Sequence, residues 1–114
     1  MKLAIVGSRG IKHADIEAIL RQHNLQPSTV ISGGAVGVDT LAEQWARNNG
    51  VKVEIFKPDY KKHLRGAPIR RNELMARECD MLLAIWDGKS KGTTHIMNYT
   101  RKLGKPVFVF CPNS

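Results

Sequence analysis

The sequence predicts a single doubly wound α/β domain spanning residues 1–114, and three observations predict it. Five short runs rich in β-branched or aromatic residues alternate with stretches whose apolar residues recur near the 3.6-residue helical period. The strand candidates are apolar throughout instead of alternating, as expected of strands buried on both faces of a parallel sheet covered by helices. A length of 114 residues, 42% hydrophobic and 25% charged, suits one ordinary globular domain, and no low-complexity tract or internal repeat interrupts it.

KLAIV (2–6) is the first strand, and Ile16, Ile19, Leu20 and His23 mark the first helix. TVIS (29–32) is the second strand. It runs into a glycine-rich loop and then a helix patterned by Val38, Leu41, Ala42, Trp45 and Ala46, with Thr40 and Glu43 spaced as a capping box at its start. VKVEIF (51–56) is the third strand. After it comes a basic segment, KPDYKKHLRGAPIRR (57–71), and a shorter helical pattern over 69–79, on which Glu73 and Arg77 are spaced as a solvated surface pair. MLLAIW (81–86), a helix patterned by Ile96, Tyr99, Thr100 and Leu103, and PVFVF (106–110) complete the order βαβαβαβαβ. Right-handed crossovers then give a five-stranded, mainly parallel sheet with helices on both faces.

The first ten residues turn polar before an apolar stretch of secretory length, and MLLAIW, the longest apolar run, is far short of a membrane span. The expectation is a cytoplasmic protein without a membrane partner, with Cys79 and Cys111 as buried small hydrophobes instead of a disulfide. Eighteen Lys and Arg against ten Asp and Glu give a formal charge of +8, which points to anionic partners. The basic segment concentrates Lys and Arg around one acid, Asp59, and a single aromatic, Tyr60. The four histidines show no metal-ligand spacing, so no metal site is expected; His95 alone lies beside a candidate pocket, as a surface or capping residue.

In open parallel sheets, ligands bind outside the carboxyl ends of the strands, so the loops that follow the strands carry the chemistry. After the first strand, Gly7, Ser8 and Arg9 combine a sharp bend, a hydroxyl and a guanidinium able to grip a phosphate in two places, although a plain turn would use the same glycine. After the second, Gly33, Gly34 and Gly37 let main-chain N–H groups converge on an anion at the positive end of the next helix. The spacing is neither the dinucleotide fingerprint nor a Walker A loop, so it names neither NAD nor ATP, and no cofactor is expected. Asp39 is a helix-start acid or a partner for ribose hydroxyls.

After the fourth strand, Asp87, Gly88, Ser90, Gly92, Thr93 and Thr94 form a second small-residue loop at a helix start, suited to a phosphate or sugar; otherwise Thr93 is a simple N-cap. Arg71 and Asn72, just after Pro68, are placed near a helix start where they point over the strand ends. Asp39 and Asp87 are the carboxylates available for catalysis. The residues thus predict a nucleotide-derived small molecule at the carboxyl edge of the sheet.

LAIVGSR, VISGGAVGVDTLAEQWA and the stretch from APIRRNELM to CDMLLAIWDGKSKGTTHI together resemble the YspA-like branch of the SLOG superfamily, along nearly the whole chain. The resemblance implies a Rossmann-like core, a nucleotide ligand held to sense or sequester it, and a homodimer or higher homo-oligomer. The first two motifs also resemble the Rossmann core of DprA, which implies single-stranded nucleic acid as an alternative partner. The third is similar to the Lonely Guy phosphoribohydrolases, which release a base from a nucleoside monophosphate. Their motif residues correspond to Arg71, Asn72, Met75 and Asp80, then to Gly92 and Thr93. The catalytic glutamate of that group falls on Ile96, beside His95, and its proline-glycine-glycine on Trp86, Asp87 and Gly88. The hydrolase reading therefore lacks its carboxylate unless Asp39 or Asp87 substitutes.

Overall fold

A computed structural model describes residues 1–112. Strand β1 (Lys2–Gly7) leads to helix α1 (Ile16–Gln22), β2 (Thr29–Ser32) to α2 (Val38–Asn48), and β3 (Lys52–Ile55) to the short α3 (Tyr60–His63). A 3-10 turn (Leu64–Gly66) joins α3 to α4 (Ala67–Glu78), and β4 (Met81–Ile85), α5 (Lys91–Lys102) and β5 (Val107–Phe110) follow. All four strand pairings are parallel, in the order β3-β2-β1-β4-β5. The chain therefore reverses its direction of travel between β1 and β4, and the loops leaving these two strands part there to open a crevice.

Strand side chains alternate between two apolar layers, as the two-residue period of a pleated sheet requires. Leu3, Ile5, Val30, Leu83 and Ile85 face α1 and α2, where Ile16, Ile19, Leu20, Val38, Ala42 and Ala46 complete one core. Ala4, Val6, Ile31, Leu82 and Ala84 face α4 and α5, against Met75, Ala76, Cys79, Ile96 and Met97. The small residues are where the helices come close: Ala42, Ala46 and Ala76 are fully buried. Each fully buried Leu or Ile contributes ~1.5–3 kcal/mol relative to exposure, so the two layers fix both faces of the sheet.

Burial on both faces extends over β1, β2 and β4 only. Edge strand β3 exposes Lys52 and Ile55, and edge strand β5 is half-buried along its length, because each has a neighbour on one side only. The basic segment after β3 contains the short α3 and the 3-10 turn. Asp59 caps α3 by accepting from Lys62 N–H, and the helix expected over 69–79 begins at Ala67, where Pro68 occupies the first turn and removes a donor that has no intrahelical partner anyway. Leu64 leaves α3 with φ 52°, a left-handed conformation.

Three local expectations are corrected. Thr40 does not open α2: the helix starts at Val38, Thr40 donates to the Ala35 carbonyl, and Glu43 accepts from the Ser32 hydroxyl at 2.6 Å across the β2–α2 contact. Glu73 does not pair with Arg77; Arg70 reaches it first, at 2.9 Å, while Arg77 donates to the Tyr99 hydroxyl and lies over that ring. Cys79 is buried but Cys111, beyond the last strand, is exposed, and both are free thiols.

Among the described residues, no helix is long and apolar enough to cross a membrane. Nor is any group of three or more His, Cys, Asp or Glu among them placed to hold a metal ion.

Candidate functional site

The crevice between the β1 and β4 ends deepens into a cavity of about 440 Å³ at the carboxyl edge of the sheet, within the usual range of small-ligand sites. Its floor is apolar: Val6 at the end of β1, Met75 of α4 and Ile96 of α5 are almost fully buried beneath it. Its walls come from the loops after β1, β2 and β4 and from the first turns of α4 and α5. These residues cannot continue the strands, because here the backbone leaves the sheet to begin a helix.

Ser8 ties two of these loops together. Its N–H donates to the Ile85 carbonyl at 3.2 Å, its hydroxyl accepts from Asp87 N–H at 3.1 Å, and the side chain is 1% exposed. Gly7 precedes it because a Cβ there would meet the Ile85 carbonyl and the Val38 side chain, where β1, β4 and α2 touch. Asp87 is fastened in turn: one carboxylate oxygen accepts from both Lys89 N–H and Ser90 N–H at 2.8 Å. Those two donors hold its carboxyl below the usual carboxylate range. Arg9 reaches the cavity from the exposed side of the same loop.

On the β2 side, Gly33 and Ala35 form the wall and Asp39, in the first turn of α2, faces it with 6% exposure. The Asp39 carboxylate accepts from Ala35 N–H at 3.2 Å. Burial pushes its pKa up to about 6, against the lowering effects of the Ala35 N–H and of the Arg71 guanidinium. Arg71 crosses from α4 to this wall: Nη1 donates to the Gly33 carbonyl at 2.6 Å, and Nε donates to Asn72 Oδ1 at 2.9 Å. A Cβ at Gly33 would stand 2.8 Å from Arg71 Nη1 and 3.0 Å from an Asp39 carboxylate oxygen, so only glycine lets the two charged groups close over it. Burial lowers the Arg71 pKa from its ordinary value, with the Asp39 charge opposing.

Eleven of the residues expected from the sequence line the cavity: Gly7, Ser8, Arg9, Gly33 and Asp39 from the first two loops, then Arg71, Asn72, Asp87, Ser90, Gly92 and Thr93. Gly34, Gly37, Gly88 and Thr94 are not among its lining residues. Gly34 packs beside Ile55, and Gly88 forms the tip of its turn with φ 85°. Gly37 is the N-cap of α2, with φ 83°, and a Cβ there would stand 2.7 Å from the Arg9 carbonyl oxygen. Thr94 donates its hydroxyl to the Ser90 carbonyl at 2.9 Å, a bond inside the first turn of α5. The N-cap there is Ser90, not Thr93, whose hydroxyl meets that of Ser90 at 3.2 Å. The sequence reading missed Val6, Gly10, Ala35, Pro68, Met75 and Ile96 as wall or floor. The apolar members carry no loop chemistry; Met75 and Ile96 were touched only by the resemblance to the phosphoribohydrolases, and only its position at a strand end could have marked Val6.

The helix starts differ in a way that follows the cavity. Asp15 caps α1 and Asp59 caps α3 through side-chain hydrogen bonds, whereas the N-caps of α2, α4 and α5 (Gly37, Gly66 and Ser90) make none. The first turns of these three helices contribute Asp39, Pro68, Gly92 and Thr93 to the cavity wall. In α2 and α5, first-turn N–H groups without a cap, together with the positive ends of the helices, favour an anion, whereas in α4 Pro68 has no N–H and Ala67 N–H is taken by the Leu64 carbonyl.

A three-layer parallel α/β domain with a polar cavity at the switch point of its sheet belongs to the broad class of Rossmann-like folds. The profile of the YspA, cpYpsA-related SLOG family (YAcAr) matches residues 1–63, from β1 through α3. The chain is also 38% identical to Gene 61 protein of Mycobacterium phage D29, over 71% of this chain and 70% of that protein. The chain belongs to the YspA, cpYpsA-related SLOG family, and membership supports a nucleotide-related role in general. The matched residues include the β1 and β2 loops of the cavity; Arg71 and the α5 wall lie beyond them.

Proposed function

We propose that this chain binds a nucleotide or nucleotide-derived small molecule in the cavity at the carboxyl edge of its sheet, as a sensing or sequestering module. The observation that carries this reading is the convergence on one cavity of the N-termini of α2 and α5, neither with a side-chain cap, with Arg9 and Arg71 beside them. Phosphate oxygens accept from the first-turn N–H groups of α2 and α5 and from the arginines, and the base or ribose rests on Val6, Met75 and Ile96. A charge-assisted hydrogen bond contributes ~1.5–3 kcal/mol, so a few give micromolar affinity after ordering costs.

Binding without turnover fits the floor. The position that would supply a hydrolytic glutamate is Ile96, 1% exposed in the apolar layer, and one oxygen of Asp87 is engaged in its own turn. The N-glycoside hydrolase alternative would fall to Asp39, and free adenine appearing from AMP above background would support it. A second binding reading, single-stranded nucleic acid, draws on the exposed Tyr60, Lys61, Lys62 and Arg65 of the segment between β3 and α4. Its mark is steep salt dependence, log K falling by ~0.7 per phosphate neutralised against log salt.

The test is a thermal-shift screen with nucleoside monophosphates, NAD, ADP-ribose and a short oligothymidylate. A ligand at a hundred times its Kd stabilises by ~2.7 kcal/mol, raising Tm by roughly 10 °C in a domain of this size. The proposal predicts that response for one of the small nucleotides and its loss in Arg9→Ala. No shift with any of them, or a shift with the oligonucleotide alone, refutes it.

A further inference from the structure

The cavity is built for an anion, yet a buried acid stands on its wall. Its charged wall residues are Arg9 and Arg71 against Asp39 and Asp87. Asp87 is exposed and answered by two N–H donors, so water and backbone accommodate its charge. Asp39 has neither advantage to the same degree: it is 6% exposed, with Ala35 N–H donating to it at 3.2 Å and the Gly33 backbone adding a weaker hydrogen bond that does not offset burial. Arg71 does not neutralise it outright, because Nη1 is committed to the Gly33 carbonyl and Nε to Asn72, and no Asp39–Arg71 ion pair closes within 4 Å.

We propose that the nucleotide enters this cavity together with a proton taken up by Asp39, so that ligand binding and protonation of this one side chain are coupled. The inference rests on the nucleotide-binding reading above. An anion at the α2 N-terminus shares a low-dielectric volume with the Asp39 carboxylate, and like charges so placed disfavour double ionisation. Protonation removes the repulsion and turns an acceptor into a hydroxyl donor facing the ligand. The Ala35 N–H keeps the other carboxyl oxygen as its acceptor.

Every element packed around Asp39 bears on this balance. Glu43, one turn later on α2, adds a like charge, partly answered by the Ser32 hydroxyl of β2 at 2.6 Å and Arg47 at 3.9 Å. Arg71 from α4 and Arg9 from the β1–α1 loop oppose proton uptake, while Asp87 from the β4–α5 loop favours it. Burial places the folded-state value of Asp39 at about 6 in the free protein, so near neutral pH only a small further push loads the proton.

The experiment uses the full chain and ADP-ribose, whose pyrophosphate keeps its charge between pH 5 and pH 8, so the ligand does not titrate with the protein. Calorimetric Kd values are measured across that range, at neutral pH in two buffers of different ionisation enthalpy. With the proton required in the complex, affinity at pH 5 exceeds that at pH 7 by about tenfold, and the buffer comparison at pH 7 reports net proton uptake. In Asp39→Asn, whose amide stands for the neutral carboxyl, the pH dependence flattens and tight binding persists to pH 8. Should that variant not fold, carbon-13 NMR of the Asp39 carboxyl in the wild-type chain gives the reciprocal readout: ADP-ribose raises its titration midpoint. A wild-type Kd that is flat or tightens with rising pH, or a midpoint lowered or unmoved by ligand, overturns the coupling and leaves the binding reading intact. If only a nucleoside monophosphate binds, the Asp39 midpoint is read by carbon-13 NMR with that ligand; absence of binding by ADP-ribose, NAD and the nucleoside monophosphates at every pH refutes the nucleotide reading, and the coupling with it.

Discussion

If Asp39 is kept for a ligand, it is kept at a cost in stability, and Asp39→Asn measures that cost. The folded-state pKa is raised from 3.8 to about 6 by burial. Between these values the folded protein binds more protons than the unfolded chain, so stability falls as pH rises from about 4 to about 6 and levels off above that. A displacement of about two units at ~1.4 kcal/mol each sets an upper bound of ~3 kcal/mol. Asparagine retains an acceptor for the Ala35 N–H but gives up the attraction to Arg71, which offsets part of the gain. The net expectation is ~1–2 kcal/mol of added stability at pH 7.5, shrinking toward zero at pH 4.5 where the native carboxyl is already protonated. Urea unfolding at the two pH values reads this as a higher midpoint with unchanged slope at pH 7.5 only. A variant less stable than the parent at pH 7.5, or one equally stabilised at both pH values, refutes burial of the charge as the cause.

Other substitutions probe the frame around the cavity. Gly37→Ala forces a side chain into φ 83°, with its Cβ 2.7 Å from the Arg9 carbonyl oxygen; a loss of about 2 kcal/mol or more in urea unfolding is expected, together with weaker nucleotide binding as the Arg9 loop shifts. Lys105→Met removes an ammonium that donates to the carbonyls of Ala76, Arg77 and Cys79 at 2.6–2.9 Å, at the end of α4; a cost of ~2 kcal/mol by chemical denaturation follows from the lost charge-assisted bonds. Ile96→Glu places a carboxylate in the apolar floor and should destabilise by ~3 kcal/mol or more in urea unfolding; a variant as stable as the parent would contradict the burial of this floor position. Replacing Lys61, Lys62 and Arg65 together by Gln should leave small-nucleotide thermal shifts unchanged, and loss of those shifts would move the site to the basic segment.

Much of the architecture was written locally. β-Branched runs ended by glycine at Ser32–Gly34, by Asp-Gly at Asp87–Gly88 and by the bend at Gly7 placed the strands to within one or two residues, because these stretches carry their turn chemistry with them. The same locality explains why most of the polar cavity wall was legible: in a parallel sheet the loops after the strands necessarily meet at one edge. The basic segment was less legible, since α3 rests on one Asp59 cap and four residues, too little for a periodic pattern.

What the amino-acid order determined, then, was the class of fold, the sheet edge that carries the cavity, and the loops Gly7–Arg9, Gly33–Asp39 and Asp87–Thr94 as most of the material of its wall. Only the tertiary structure decided which atoms of that material face the cavity. It turned Gly37 and Thr94 into helix-start scaffolding, committed two guanidinium nitrogens of Arg71 to Gly33 and Asn72, and brought Met75 and Ile96 from two distant helices to one floor. The physical reason is that hydrogen-bond commitment and burial are properties of contacts between remote segments. Asp39 is the clearest case: an ordinary acid by its residue type, it becomes a buried one with a raised pKa only because remote segments exclude water from it, and the Arg71 charge brought by α4 offsets that burial only in part.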